Sequence, residues 1–238
     1  MTARDFSPQT YARVAGFLYL VNIVAGLLGE AFVRDGTIVA GDAAATAANI
    51  VHSPGLWRMG VAGDLLMHIT DVPMMMIYYV LFKPVNRRLA LMAMLFTLVQ
   101  SATLVATKLN QLLPLFLLSD AAYLKAFSPE QAQALAYVAI RADAHGFGIG
   151  LIFFGCACLT TGHLIRRSDF LPKLLGVGLQ IAGICYLVNS FALILAPDIE
   201  GMLFPAILMP CFVAESALCL WLLVKGIDAA KWRAWSPA

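Results

Sequence analysis

Three ionisable side chains, Asp64, His68 and Asp71, occur within the otherwise apolar segment GVAGDLLMHITDV, residues 60–72. At about 100° per residue, their spacing places all three on one face of an α-helix. Carboxylates and an imidazole on one face can bind a cation, transfer a proton or hydrogen-bond to a neighbouring helix. Because charged groups are costly in lipid, we expect this face to point into the protein and to mark a functional site.

Further polar residues occur in the other apolar segments, at a similar depth when depth is counted along helices that alternate in direction. Their acids outnumber their permanent cations, which indicates an acid-rich cavity that attracts a cation or protons. The residues expected to bind a solute or ion are Asp64, His68, Asp71, Asn110, His145 and Glu215, and those expected to support them are Lys108, Arg141, Asp143 and Asn189.

Only one of Asp143 and His145 can point straight into a common pocket, because they lie about 200° apart on a helix. His145 shares its face with Gly148 and Gly155, and small residues allow helices in membranes to approach closely. We therefore expect His145 to face the pocket, with Asn110 as an orienting amide.

A divalent metal is one candidate ligand of this pocket. Asp64 and His68, four residues apart, can offer two ligands from one helix face, with His145 and Glu215 as the third and fourth. The alternative is a carboxylate and an imidazole that hydrogen-bond between two helices. The spacing is a weak motif by itself, and the sequence indicates no other cofactor.

The composition predicts the class of protein that carries these residues. Of 238 residues, 61% are hydrophobic and 13% are charged, and the mean hydropathy is +0.82. These values predict an all-α polytopic membrane helix bundle rather than a water-soluble domain. Six apolar segments have the length of a transmembrane helix and would form a single transmembrane domain: residues 11–33, 57–82, 89–118, 135–165, 171–196 and 203–224.

Lys and Arg concentrate in both tails and in two tight connections, KPVNRR and RRSDFLPK. The positive-inside rule then places both termini in the cytoplasm, and the polar residues in the outer half of a bacterial cytoplasmic membrane. Since the cations are spread over separate short loops, nucleic acid is excluded as a partner. The expected partners are the lipid bilayer and a small molecule or ion, whereas the sequence does not specify an oligomeric state.

Two outer connections carry helix-start signals. Asp42 is a candidate N-cap of a short outer helix over residues 42–52. Ser128, Pro129 and Gln131 fit a capping box that begins the fourth long helix.

The ordered motifs ARVAGFLYLVNIVAG, GDAAATAANI, RMGVAGDLL, KPVNRRLAL, FTLVQSA, FSPEQAQAL, HGFGIGLIFFG and FLPKLLGV resemble a bacterial family of multi-pass membrane proteins, the domain of unknown function DUF4386. The resemblance covers nearly the whole chain. It implies the fold and brings no settled activity, and it places Asp64 and His145 inside matching motifs. The chain departs from the family pattern at Thr97, where an arginine is expected, and at Asn189, where an aspartate is usual.

Three functions fit these observations. The leading hypothesis is the binding or transport of a small cationic or polar solute, or of protons. The second is an intramembrane enzyme that acts on a lipid or isoprenoid-like substrate, either with a metal that activates water or with Asp64 and Glu215 as acid and base. The third is a structural or partner-binding membrane subunit.

Overall fold

The computed structural model describes residues 7–235, except for the side chains of Ala31 and Glu200. Every regular element within this range is a helix. In chain order the helices are α1 (Pro8–Thr37), α2 (Ala43–His52), α3 (Pro54–Phe82), α4 (Arg87–Leu117), α5 (Pro129–Arg167), α6 (Lys173–Leu195), α7 (Pro197–Leu203), α8 (Met209–Val224) and α9 (Ala229–Trp235), with 3₁₀ turns at Ala122–Ala126 and Ala206–Leu208. Among them α1, α3, α4, α5, α6 and α8, the last with its preceding 3₁₀ turn, are long and apolar enough to cross a membrane. The prediction of an all-α bundle with six such helices is confirmed.

Several helices extend beyond the apolar segments of the sequence. Helix α5 begins at Pro129, because Ser128 and Gln131 form the predicted capping box: the Ser128 hydroxyl accepts from the Gln131 amide at 3.3 Å, and the Gln131 side chain accepts from the Ser128 amide at 2.9 Å. Asp42 caps α2 by accepting from the Ala45 amide at 2.9 Å, also as predicted. Caps of this kind satisfy backbone groups that a helix leaves unpaired at its start, so polar residues can extend an apolar helix.

The six long helices form a closed ring. Each packs against the next long helix along the chain, and α8 packs against α1. We call the end of the ring where α2 packs against α5 the polar end, since it contains Arg34, Asp64, Lys108 and Asp143. We call the opposite end the apolar end, since it is filled by a buried core that includes Ala12, Leu81, Leu164, Phe170 and Leu222.

The chain after α8 closes the apolar end. Gly226 has a φ of 71°, which lets the backbone turn sharply after α8. The Gln9 side chain then accepts from the Ile227 amide at 3.0 Å and donates to the Lys225 carbonyl at 2.8 Å. The Trp232 indole donates to the Leu81 carbonyl at 2.8 Å. Helix α9 is thereby attached to α3, and the segment that leads into it is attached to α1.

Helices α5 and α6 approach so closely that glycine is required between them. A Cβ atom on Gly162 would lie 2.5 Å from the carbonyl oxygen of Gly176, and one on Gly155 would lie 2.9 Å from that of Gly183. The glycines are spaced seven residues apart on each helix, so they form one continuous seam. The predicted close approach at Gly155 is therefore present.

We expect Gly162→Ala to destabilise the protein by about 1–3 kcal/mol, because the added methyl group has no space beside the α6 backbone. The matched control is Gly63→Ala in α3, where a Cβ meets no atom within 4 Å; alanine should be neutral or slightly stabilising there. Melting temperatures of the purified proteins in one detergent give the comparison. Equal melting temperatures for the two variants would contradict the seam.

Candidate functional site

Asp64 in α3 is the point where two cations meet. Its Oδ2 atom accepts a hydrogen bond from Arg34 Nη1 at 3.0 Å and another from Lys108 Nζ at 3.0 Å. Asp64 is 4% exposed and Lys108 is 6% exposed. A charge this deeply buried is tolerated only with a charged or hydrogen-bonding partner, so these contacts explain how the bundle keeps Asp64 in its interior.

Lys108 is shared between two carboxylates. Besides its contact with Asp64, its Nζ atom lies 3.4 Å from each oxygen of Asp143 in α5, and it hydrogen-bonds only to Oδ2. Gln111 donates to the same Oδ2 at 2.7 Å, and the Trp57 indole donates to the Gln111 carbonyl at 2.7 Å. Asp143 Oδ1 is buried and has no hydrogen-bond donor within the described part of the chain.

Glu30 completes the set through an ion pair with Arg34 at 2.5 Å, and its side chain is 55% exposed. We name Glu30, Arg34, Asp64, Lys108, Gln111 and Asp143 the ion-pair network. Its three carboxylates face two cations, so the network has one formal negative charge in excess. The network connects α1, α3, α4 and α5, and it becomes more exposed towards Glu30.

The residues Gly29–Arg34 form a π-helical turn near the end of α1. Such turns are rare and are frequent at functional sites. Gly29 leaves space for the ion pair, because a Cβ atom there would lie 3.3 Å both from a guanidinium nitrogen of Arg34 and from Asp64 Oδ1. Arg34 was expected in a loop, since the apolar segment ends at residue 33. The four-residue spacing from Glu30 to Arg34 is the sequence signal that could have placed it on a helix.

Asp71 forms a second polar group, about two helical turns further along α3. Its Oδ1 atom accepts from Asn22 at 2.6 Å, and its Oδ2 atom accepts from Ser101 at 2.8 Å and lies 3.2 Å from His68 Nδ1. The side-chain amide oxygen of Asn22 accepts in turn from the Thr70 hydroxyl. Asp64, His68 and Asp71 are all buried, so the prediction that their common face points into the protein is correct.

Glu215 in α8 belongs to a third polar group. It accepts a hydrogen bond from the Tyr186 hydroxyl, and Tyr19 lies beside it. Glu215 forms no salt bridge among the described residues, since Lys108 contacts Asp64 and Asp143, and Arg141 is exposed. Hydroxyl groups rather than a cation therefore stabilise this carboxylate.

The expectation that His145 faces the pocket is wrong. His145 is exposed, and its Nδ1 atom contacts the Arg141 carbonyl of its own helix at 2.9 Å, whereas Asp143 is buried. Helix α5 has a second glycine face, on which Gly146 packs against Thr107 of α4. Asp143 lies on that face, and the buried cation is on α4, so the charge contact decides the orientation.

Three further predicted residues lie outside the ion-pair network. Asn110 is partly exposed, and the neighbouring Gln111 is the amide that contacts Asp143. Arg141 is exposed on the same helix as Asp143. Asn189 is buried, but its side-chain oxygen has no hydrogen-bond partner among the described residues. The amide and the arginine of the network are therefore Gln111 and Arg34, and not the predicted Asn110 and Arg141.

The residues proposed as metal ligands are not assembled. Asp64 pairs with cations, His68 with Asp71, and Glu215 with Tyr186, while His145 is exposed. Among the described side chains, which exclude Glu200, no group of three or more His, Cys, Asp or Glu is close enough to hold a metal ion. This corrects the four-ligand arrangement suggested by the spacing of Asp64 and His68.

We expect Lys108→Met to destabilise the protein by about 3–5 kcal/mol, because Asp143 then has no cation in a buried site. Adding Asp143→Asn should restore most of this loss, since it removes the uncompensated charge. Lys125→Met is the control, because Lys125 is exposed. The measurement is the melting temperature in detergent. If the double variant is no more stable than Lys108→Met, the shared lysine does not act as described.

We expect His145→Ala to change stability by no more than about 0.5 kcal/mol, because the exposed imidazole contacts only its own backbone. His68→Ala should cost more, since it removes a buried neighbour of Asp71. The comparison uses unfolding of the two purified variants under one condition. A larger loss for His145→Ala would support the orientation expected from sequence instead.

Comparison with known proteins identifies the family of the chain. The family model described as "Domain of unknown function (DUF4386)" matches residues 14–226. An "Uncharacterized protein" from Archaeoglobus fulgidus is 24% identical over 168 residues, which are 70% of this chain and 83% of the relative. No solved structure matches. Because the family model covers most of the chain, including the ion-pair network, the protein belongs to the DUF4386 family.

Proposed function

We propose that the ion-pair network binds a proton or a small cation within the outer half of a bacterial cytoplasmic membrane, as the ligand-binding step of transport. The observation that carries the proposal is the buried Oδ1 atom of Asp143, which has no hydrogen-bond donor among the described residues although Lys108 Nζ lies 3.4 Å away. A buried carboxylate oxygen without a donor is costly, so a proton or a cation bound there would gain free energy.

The charge distribution supports the outer location. The two basic connections and the basic residues Lys225, Lys231 and Arg233 lie at the apolar end, where α4 and α6 begin and where α3, α5 and α8 end. The positive-inside rule places such residues in the cytoplasm. The polar end would then face the outside, and the half-exposed Glu30 would be the first carboxylate of the ion-pair network that an incoming cation meets.

The network can exchange partners without leaving a buried charge alone. When a proton or cation binds Asp143, Lys108 can pair with Asp64 only, and Gln111 continues to donate to Asp143 Oδ2. The total then becomes three positive charges against three carboxylates, counting the ligand. This neutrality favours binding, because isolated charges are penalised in a medium of low dielectric constant.

The groups around Asp71 and Glu215 would be the next polar positions along the interior. Asp71 and Glu215 interact electrostatically, and both are nearer to the apolar end than Asp64 is. The buried core of the apolar end lies beyond them. Release to the cytoplasm would therefore require the helices at that end to separate, as alternating access does in transporters.

The other two hypotheses have less support in these contacts. Asp64 and Glu215 belong to separate groups with different partners, and this arrangement does not favour a shared role as acid and base. A structural subunit would use the network only to hold four helices together. The structural hypothesis can be distinguished from cation binding, since it predicts that Asn variants of the network aspartates keep every activity.

The test uses the purified full-length chain with protons and with Na⁺, K⁺, ammonium and methylammonium as probes. Binding should raise the melting temperature, with a stabilisation of about 2.7 kcal/mol at a concentration one hundred times Kd. Proteoliposomes with an internal pH-sensitive dye measure proton flux under an imposed potential. Asp143→Asn should abolish the specific response, and Asp169→Asn, at the opposite end of the bundle, should keep it.

Two results would overturn the proposal. The first is a wild-type protein that shows neither cation-specific stabilisation nor flux above that of empty liposomes. The second is an Asp143→Asn variant with the wild-type response, which would favour the structural hypothesis. Melting temperatures measured without added probe ensure that a lost response is not caused by misfolding.

A further inference from the structure

A cleft of about 760 Å³ opens at the apolar end, remote from the ion-pair network. It lies between the connection from α5 to α6, the end of α8, and α9. Its volume is within the range of small-molecule binding sites. The residues that line it are Ser168, Asp169, Phe170, Leu171, Pro172, Lys173, Trp221, Lys225, Gly226, Ile227, Asp228, Lys231, Ala234 and Trp235.

Backbone and side-chain hydrogen bonds fix the walls of the cleft. The Asp228 amide donates to the Phe170 carbonyl at 3.0 Å, which joins the segment after α8 to the α5–α6 connection. Asp228 also caps α9, since its Oδ1 atom accepts from the amides of Ala230 and Lys231 at 3.1 Å. The contact of Trp232 with Leu81 holds α9 in place from the other side. The cleft is therefore built by the fold rather than left between loose segments.

The cleft is lined by three lysines and two aspartates. Lys231 lies 3.7 Å from Asp228, whereas Lys173 and Lys225 form no ion pair within residues 7–235. Both are exposed, so their ammonium groups are accessible to a ligand. Asp169, the lining carboxylate other than Asp228, carries the opposite charge and forms no ion pair among the described residues.

The cleft also has apolar lining residues. We call the buried Phe170, Leu171 and Ile227 the apolar floor, and Trp221 and Trp235 are lining residues that remain at least partly exposed. Tryptophan is enriched where a membrane meets water, at the level of the lipid headgroups. The cleft thus combines cations, an apolar surface and aromatic residues at one end of the membrane-crossing helices.

We propose that this cleft binds the headgroup of an anionic phospholipid, with the phosphate between Lys173 and Lys225 and the start of the acyl chains against the apolar floor. Basic pockets on the cytoplasmic side of membrane proteins bind such headgroups. A free phosphate would use the lysines but not the apolar floor. The proposal does not depend on the cation-binding function, since it uses none of the residues of the ion-pair network.

The test compares lipid retention by native mass spectrometry after reconstitution into phosphatidylcholine with and without phosphatidylglycerol. The wild-type protein should retain phosphatidylglycerol in preference to phosphatidylcholine. Lys173→Gln combined with Lys225→Gln should weaken this preference by about five-fold for each lysine removed. The matched control is Arg87→Gln combined with Arg88→Gln, which removes two exposed cations from the same end of the bundle outside the cleft.

A second variant keeps the test independent of folding. Asp169→Asn removes the opposing carboxylate, so it should increase the retention of phosphatidylglycerol. A loss of preference in the arginine control equal to that of the lysine variant would overturn the proposal, because a diffuse surface charge would then explain the binding. Inorganic phosphate that displaces the lipid at low millimolar concentration would also overturn it and would identify the site as one for a free anion.

Discussion

The sharing of Lys108 between Asp64 and Asp143 is the interaction on which the polar end depends. Each of these three charges would be expensive alone within a membrane. Together they form a set in which α3, α4 and α5 each contribute one member, so the helices cannot move apart without exposing an unpaired charge. The same arrangement that holds the helices together leaves Asp143 Oδ1 without a donor in the part of the chain that the structure describes. The geometry of Lys108 therefore both holds the helices together and leaves Oδ1 of Asp143 available as an acceptor.

The remaining architecture separates polar and apolar contacts along the bundle. Near the apolar end, close packing of a core that includes Leu81, Leu164 and Leu222 holds the ring together. Between α5 and α6, glycines allow backbone contact. Since lipid provides little hydrophobic driving force between helices, such close contact and interhelical hydrogen bonds are the main sources of cohesion. The ion-pair network is therefore needed only to fix how the helices pack at the polar end.

The sequence predicts the fold better than the site. Length and hydropathy identify the six helices because hydrocarbon thickness imposes them, and the capping box at Ser128 is a local signal. The common face of Asp64, His68 and Asp71 also follows from helix geometry alone. The direction in which α5 turns its polar side chains does not follow from helix geometry. Helix α5 has one glycine face towards α6 and another towards α4, and only the contact with Lys108 explains why the face that carries Asp143 points towards α4. The hydropathy pattern did not identify Arg34 as a site residue, because hydropathy gives no sign that a cation just beyond an apolar segment forms ion pairs.

The π-helical turn at Gly29–Arg34 lets the parts of α1 before and after it direct their side chains independently. The twenty-one residues before it, Pro8–Leu28, set their faces by contact with α3 and α8. The extra residue per turn offsets everything that follows by roughly a quarter of a revolution. The offset directs the Arg34 guanidinium towards Asp64, whereas a regular α-helix would direct it elsewhere. A one-residue insertion would produce this offset without repacking the earlier helix, and a single-residue length change is thus a route by which a helix of this kind gains or loses a partly buried cation.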